Sequence, residues 1–159
     1  MKTKKLKTSC TLLFAVTLIG MNYQESRAHC EIPCGIYADS MRISMILEDI
    51  TTIEKSMNQI TELSKSEKPD YNQLVRWVMN KDEHAEKIQE IVSQYFLHQR
   101  IKIVEENQGE AYEKYQKHLQ LLHKMQVYAM KCKQTTDLTF VENLRTTVAE
   151  FEKAYFHTH

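Results

Sequence analysis

Apolar residues recur in steps of three and four through most of this 159-residue chain, and only three glycines and two prolines are available to interrupt them. That period places the apolar side chains on one stripe of a helix, and the shortage of turn-formers disfavours sheet. Four segments carry it. From about Ser40 to Leu63 the stripe is Ile43, Ile46, Ile50, Ile53, Met57 and Ile60, with Asp39 or Ser40 as the expected cap. Ser64 to Pro69 ends it, because proline lacks a donor and disfavours helix in the residue before it. Asp70 caps a second helix reaching about Leu97, with Leu74, Val78, Lys81, Ala85, Ile88, Val92 and Tyr95 on one face and Lys81 as its polar exception. His98 to Gly109 reads as a linker ending in a turn. A third helix, about Glu110 to Lys133, aligns Ala111, Tyr115, His118, Leu122, Met125, Ala129 and Cys132. Thr135-Thr136-Asp137 caps a fourth, Leu138 to about Phe156, with Leu138, Val141, Leu144, Val148, Phe151 and Tyr155 in line. Four amphipathic helices with short connections predict an all-α fold, an antiparallel up-and-down four-helix bundle over residues 38–159. Leu47, Trp77, Ile91 and Phe96 lie outside the stripes and suit either subunit contacts or a wide core.

The first 28 residues are of another kind. Met1 to Lys7 is basic, Thr11 to Met21 is apolar, Asn22 to Arg27 is polar, and Ser26-Arg27-Ala28 offers small residues at a signal-peptidase site. This order is that of a secretory signal, cleaved after Ala28. The apolar run is short for a membrane span, which needs about 20 residues. Cys10 precedes that run, which disfavours a lipoprotein anchor. The leader implies a periplasmic or secreted protein with no membrane attachment after cleavage. It also holds five of the 21 basic residues and one of the 21 acidic ones, so the rest carries a net charge of −4. An acidic mature chain argues against nucleic acid as a partner.

Cleavage there makes His29 the new N-terminus and exposes the stretch His29-Cys30-Glu31-Ile32-Pro33-Cys34-Gly35-Ile36-Tyr37. Its donors are the α-amine and imidazole of His29, the amide nitrogen of Cys30, and the thiolates of Cys30 and Cys34. A helix-borne zinc pair is disfavoured by Pro33 and Gly35. A structural disulfide suits an exported chain, whereas a redox-active one usually has the narrower Cys-x-x-Cys spacing. The remaining reading is a chelate. The amine and deprotonated amide give two nitrogens and the cysteines two sulfurs, a set that suits a d⁸ ion such as nickel(II). Pro33 and Gly35 then fold the chain back so that Cys34 reaches the same metal.

This irregular N-terminal hook over residues 29–37, with His29, Cys30, Pro33, Cys34, Gly35 and Tyr37 in their places, resembles the nickel hook of the nickel superoxide dismutases. Lys81 to Ile88 and Gln94-Tyr95-Phe96 also resemble that family's second helix. The resemblance implies a four-helix bundle, one nickel ion per subunit and a homohexamer. It implies disproportionation of superoxide to dioxygen and hydrogen peroxide by cycling between nickel(III) and nickel(II). His29, Cys30 and Cys34 become the metal ligands, Tyr37 governs access to the open axial face, and Glu31 offers backbone N–H groups and a charge near it. Tyr95 matches a further tyrosine around the site. A carboxylate and an arginine steady the axial imidazole in that family; Glu48 and Arg76 are available here, and His84 stands in the arginine's place.

Two other functions remain in view: an exported nickel or copper carrier without turnover, and a disulfide-tied interaction bundle. Among the other polar residues, Asp82, Glu83 and His84 point in different directions on a helix and read as a solvated face. His118 lies on a core stripe and reads as a satisfied buried histidine. Cys132, left over after the hook, reads as a buried free thiol. His157-Thr158-His159 forms a frayed terminal pair. There is no Gly-rich phosphate loop or nucleophile elbow.

Overall fold

The structure, a computed structural model, describes residues 36–156. The leader, the hook residues His29, Cys30, Glu31 and Cys34, and the terminal 157–159 lie outside the described residues. Those described are all-helical. Helix α1 is Asp39–Ser64, α2 is Tyr71–Glu90 and continues as a π-helix over Ile91–Arg100, α3 is Glu110–Gln134 and α4 is Thr139–Phe156. A short 3₁₀ turn, Glu106–Gln108, leads into α3 through Gly109, whose φ of 54° is the left-handed conformation glycine adopts at least cost.

Side-chain bonds between helices fix their directions. Ser56 accepts from Asn80, Asp49 meets His84, and Asp39 accepts from Arg100, so α1 and α2 run antiparallel. Gln89 and Gln126 exchange bonds while Lys81 reaches Cys132, so α2 and α3 do too. His118 meets Ala154, and Glu54 meets Arg145, which orients α4 against both α3 and α1. The stripes meet in one core of Ile43, Ile46, Ile50, Ile53, Met57, Ala85, Ile88, Val92, Leu122, Met125, Ala129, Val141, Leu144, Val148 and Phe151. Ile91 and Phe96 belong to that core, and Leu47 packs against it, so a wide core absorbs three of the four surplus residues.

The periodicity misses at the helix ends. Val78, placed on the buried face of α2, is 41% exposed, and Leu138 is 38% exposed. Ala111 is also exposed, because the stripes diverge where the helices outrun their neighbours. Asp70 caps α2 as expected, accepting from the Gln73 amide at 3.1 Å, and Asp137 accepts from the Thr139 amide at 2.9 Å. At α1 neither expected residue caps. Ala38 holds that position without a side-chain bond, since Asp39 is already helical and its carboxylate turns to partners on α2 and α4.

Lys81, the polar exception on the stripe, is 3% exposed. Its ammonium donates to the Cys132 and Lys133 carbonyls at 2.7 and 2.6 Å and to Asp82 at 2.7 Å. The last turn of a helix has carbonyls without intrahelical partners, and a buried cation there satisfies them. Lys81→Met keeps the stem and removes the donors. It is expected to cost about 2–3 kcal/mol in urea unfolding, the range for bonds to a charged group.

Candidate metal centre and its surroundings

The chain enters the bundle through Ile36, Tyr37 and Ala38, all exposed. Tyr37 is the one hook residue from the sequence reading that is described. Its ring lies beneath the Arg100 guanidinium, 4.1 Å from centroid to Cζ, and edge-on to Tyr95 with centroids 6.2 Å apart. The Ala38 amide donates to the Tyr95 hydroxyl at 2.9 Å. That hydroxyl in turn donates to Asp39 Oδ1 at 2.5 Å.

Asp39 is the centre of this end of the bundle. Arg100 grips both its oxygens, Nε to Oδ1 at 2.9 Å and a terminal nitrogen to Oδ2 at 2.7 Å, and Tyr155 donates to Oδ2 at 2.9 Å. The two-pronged geometry matches the planar guanidinium to the carboxylate. Burial by itself raises the Asp39 pKa, but the bonds from Arg100, Tyr95 and Tyr155 outweigh it and hold the carboxyl below its ordinary value. Burial, and then the bond to Asp39, push the Tyr155 phenol up to about 12; the same two causes raise Tyr95.

These shifts have opposite signs in pH. A lowered carboxyl stabilises the fold above its unfolded value near 4 and loses that contribution as pH falls through the lowered folded value. A raised phenol stabilises below its unfolded value near 10 and loses that contribution as pH climbs towards about 12. Tyr155→Phe is therefore expected to flatten the fall in unfolding midpoint between pH 10 and 12, and Asp39→Asn to flatten the acid fall below about pH 4.

On one side of Tyr95 a cleft of about 520 Å³ is lined by Arg42, Met45, Glu48, Asp49 and His84 among others. His84 is not on a solvated face: its Nδ1 lies 2.6 Å from Asp49 Oδ1, and Asp49 is only 7% exposed. Its sequence neighbours do diverge, Asp82 to Lys81 and Glu83 to Lys87. The Glu48 and Arg76 pair does not form a unit, because Arg76 faces solvent on α2 while Glu48 borders the cleft. His118 is held as expected, its Nε2 at 3.3 Å from the Ala154 carbonyl and its ring against Phe151 and Tyr155.

The residues that the sequence offers as nickel donors, His29, Cys30 and Cys34, lie outside the described residues. Among the described residues no group of three His, Cys, Asp or Glu could hold a metal ion. Cys132 is a buried free thiol, and burial raises its pKa to about 11 despite Lys81 nearby, so it offers no competing thiolate. Two thiols, an imidazole, an amine and an amide are donors of the softness nickel takes.

Reading the sequence alone passed over Asp39 as anything but a cap, Arg100 as part of a linker, and Asp49 as part of α1. Tyr95 and Tyr155, each on a helix stripe, were the members of the cluster that carried a signal. No curated protein and no solved structure matches the chain. The family model for nickel-containing superoxide dismutase matches residues 24–159, a span that takes in the hook sequence and all four helices. With hook and bundle covered by one match, the chain belongs to the nickel-containing superoxide dismutases.

Proposed function

We propose that the chain, cleaved after Ala28, disproportionates superoxide at a nickel ion held by His29, Cys30 and Cys34, one ion per subunit. The observation that carries this reading is the family match across hook and bundle together. It favours an enzyme over an exported carrier, because the matching family is one of superoxide dismutases. Bound by thiolates and an amide nitrogen, nickel supplies a one-electron couple between the +2 and +3 states, so that two superoxide anions and two protons become dioxygen and hydrogen peroxide.

The chain's own groups do the rest. His29 contributes the amine and the imidazole, Cys30 an amide nitrogen and a thiolate, Cys34 the second thiolate. Cys34 is three positions before Tyr37, with Gly35 and Ile36 between them. That closeness in sequence supports Tyr37 as the group governing the entry of superoxide, its ring held beneath Arg100. Glu31 offers N–H groups on the same stretch. The protons of Tyr95 and Tyr155 are held by Asp39, and both phenols are raised, so neither delivers a proton near neutral pH. Delivery falls to a thiolate ligand or to water near Tyr37. Asp49 and His84 form a carboxylate–histidine pair beside the cleft.

The order of basic, apolar and polar stretches in residues 1–28 supports a periplasmic or secreted enzyme. Among the described residues no helix is long and apolar enough to cross a membrane. Assembly as a homohexamer is supported by an exposed apolar stripe on α2, where Tyr71, Val75, Val78 and Met79 are 72%, 57%, 41% and 66% exposed. The mature chain is expected to sediment near six times its monomer mass, and a clean monomer at micromolar concentration contradicts the hexamer. Turnover itself is tested by superoxide consumption of the chain beginning at His29 against the same chain with Cys30→Ser; equal rates refute the hook.

A further inference from the structure

The π-helix over Ile91–Arg100 is the unusual element of the bundle. Its backbone bonds run five residues back, as in the Ile101 amide donating to the Phe96 carbonyl at 2.9 Å. In an α-helix Tyr95 and Arg100 would project about 140° apart. Bonding to the fifth residue widens the turn and brings positions five apart nearer to one face, and π segments of this kind recur at functional sites. Here the register brings the Tyr95 hydroxyl and the Arg100 guanidinium to the same Asp39 oxygen. No glycine or proline forces it, as the segment reads IVSQYFLHQR.

We propose that Asp39, gripped by Arg100, Tyr95 and Tyr155, is a positioning residue that fixes Tyr37 and Ala38, the residues through which the hook sequence runs into α1. The inference rests on the hook reading for its functional consequence, but the clamp itself is a property of the bundle. Three links carry it outwards. The Arg100 guanidinium that grips Asp39 also covers the Tyr37 ring, the Tyr95 hydroxyl that donates to Asp39 also accepts from the Ala38 amide, and the Tyr95 ring flanks Tyr37. Tyr155 anchors the same carboxylate from the last turn of α4. A hook free to swing at Tyr37 would leave its access group unplaced. With the clamp closed, the residues joining the hook to α1 are held from α2 and α4 at once.

The test uses the chain beginning at His29, which retains every residue of the described core, first without metal. Amide exchange at Ala38 and the ring resonances of Tyr37 are followed by NMR in Arg100→Leu and Tyr155→Phe. Both variants are expected to speed Ala38 exchange by about tenfold or more and to abolish the shift that Tyr95 imposes on the Tyr37 ring, while core amides such as Ile88 and Leu122 keep their protection. Unchanged Ala38 exchange, or an equal acceleration at Ile88 and Leu122, overturns the clamp. If Arg100→Leu does not fold, Tyr155→Phe decides, since it removes one hydroxyl and keeps the ring. With nickel bound at unchanged stoichiometry, Arg100→Leu is expected to lower superoxide consumption by about ten- to a hundredfold, the range for residues acting through another group. Full turnover overturns the positioning role. Failure of the hook reading shows separately, as a parent chain that protects Ala38 yet consumes no superoxide.

Discussion

A single alanine placed before His29 is expected to reduce superoxide consumption to that of the metal-free chain. The added residue turns the α-amine into a peptide nitrogen, which carries no lone pair for a metal until it loses a proton. It also moves the imidazole from the terminal position and enlarges the chelate. The bundle is untouched, since its first helical residue is Asp39, ten positions further on. Circular dichroism and the unfolding midpoint are therefore expected to match those of the parent. Normal turnover in the extended chain would show that the amine is not a ligand.

Phe96→Ala is expected to destabilise the bundle by about 3–5 kcal/mol, the range for removing a buried aromatic ring. Phe96 is fully buried in the π segment, with ring centroids 5.0 Å from Phe151, 5.1 Å from Tyr95 and 5.7 Å from Tyr155. Edge-to-face contacts of this kind add to the area term. The loss is also aimed at the site, because Phe96 lies behind both tyrosines that bind Asp39. Urea unfolding measures the stability change, and Phe96→Leu, which refills much of the volume, is expected to recover more than half of it. A loss below about 1 kcal/mol would mean that the cluster closes over the gap and is not the rigid backing described.

The helices were legible because each buries one stripe, and a stripe leaves a period in the sequence. Ile43 to Met57 on α1 and Val141 to Phe151 on α4 needed nothing more. The hook reading rests on a different ground: its candidate donors are neighbours in sequence, so naming them needs no fold to bring them together. What joins hook to bundle was hidden. Asp39, Arg100 and Tyr155 are separated by 61 and 55 positions and meet only when three helix ends converge. A π register leaves no mark that an α period would show, so Arg100 fell in an apparent linker. Asp49 sits one position beyond Glu48, and only the rotation of α1 decides which of the two meets His84.

The central claim is that nickel in the hook turns over superoxide. It is tested most directly by adding nickel anaerobically to the reduced chain beginning at His29, then following superoxide decay beside copper- and zinc-loaded samples. Fast decay with nickel alone, at one ion per subunit, is the predicted result. Stoichiometric nickel without turnover would contradict it and leave a metal carrier; no nickel bound at all would leave a bundle tied by its cysteines.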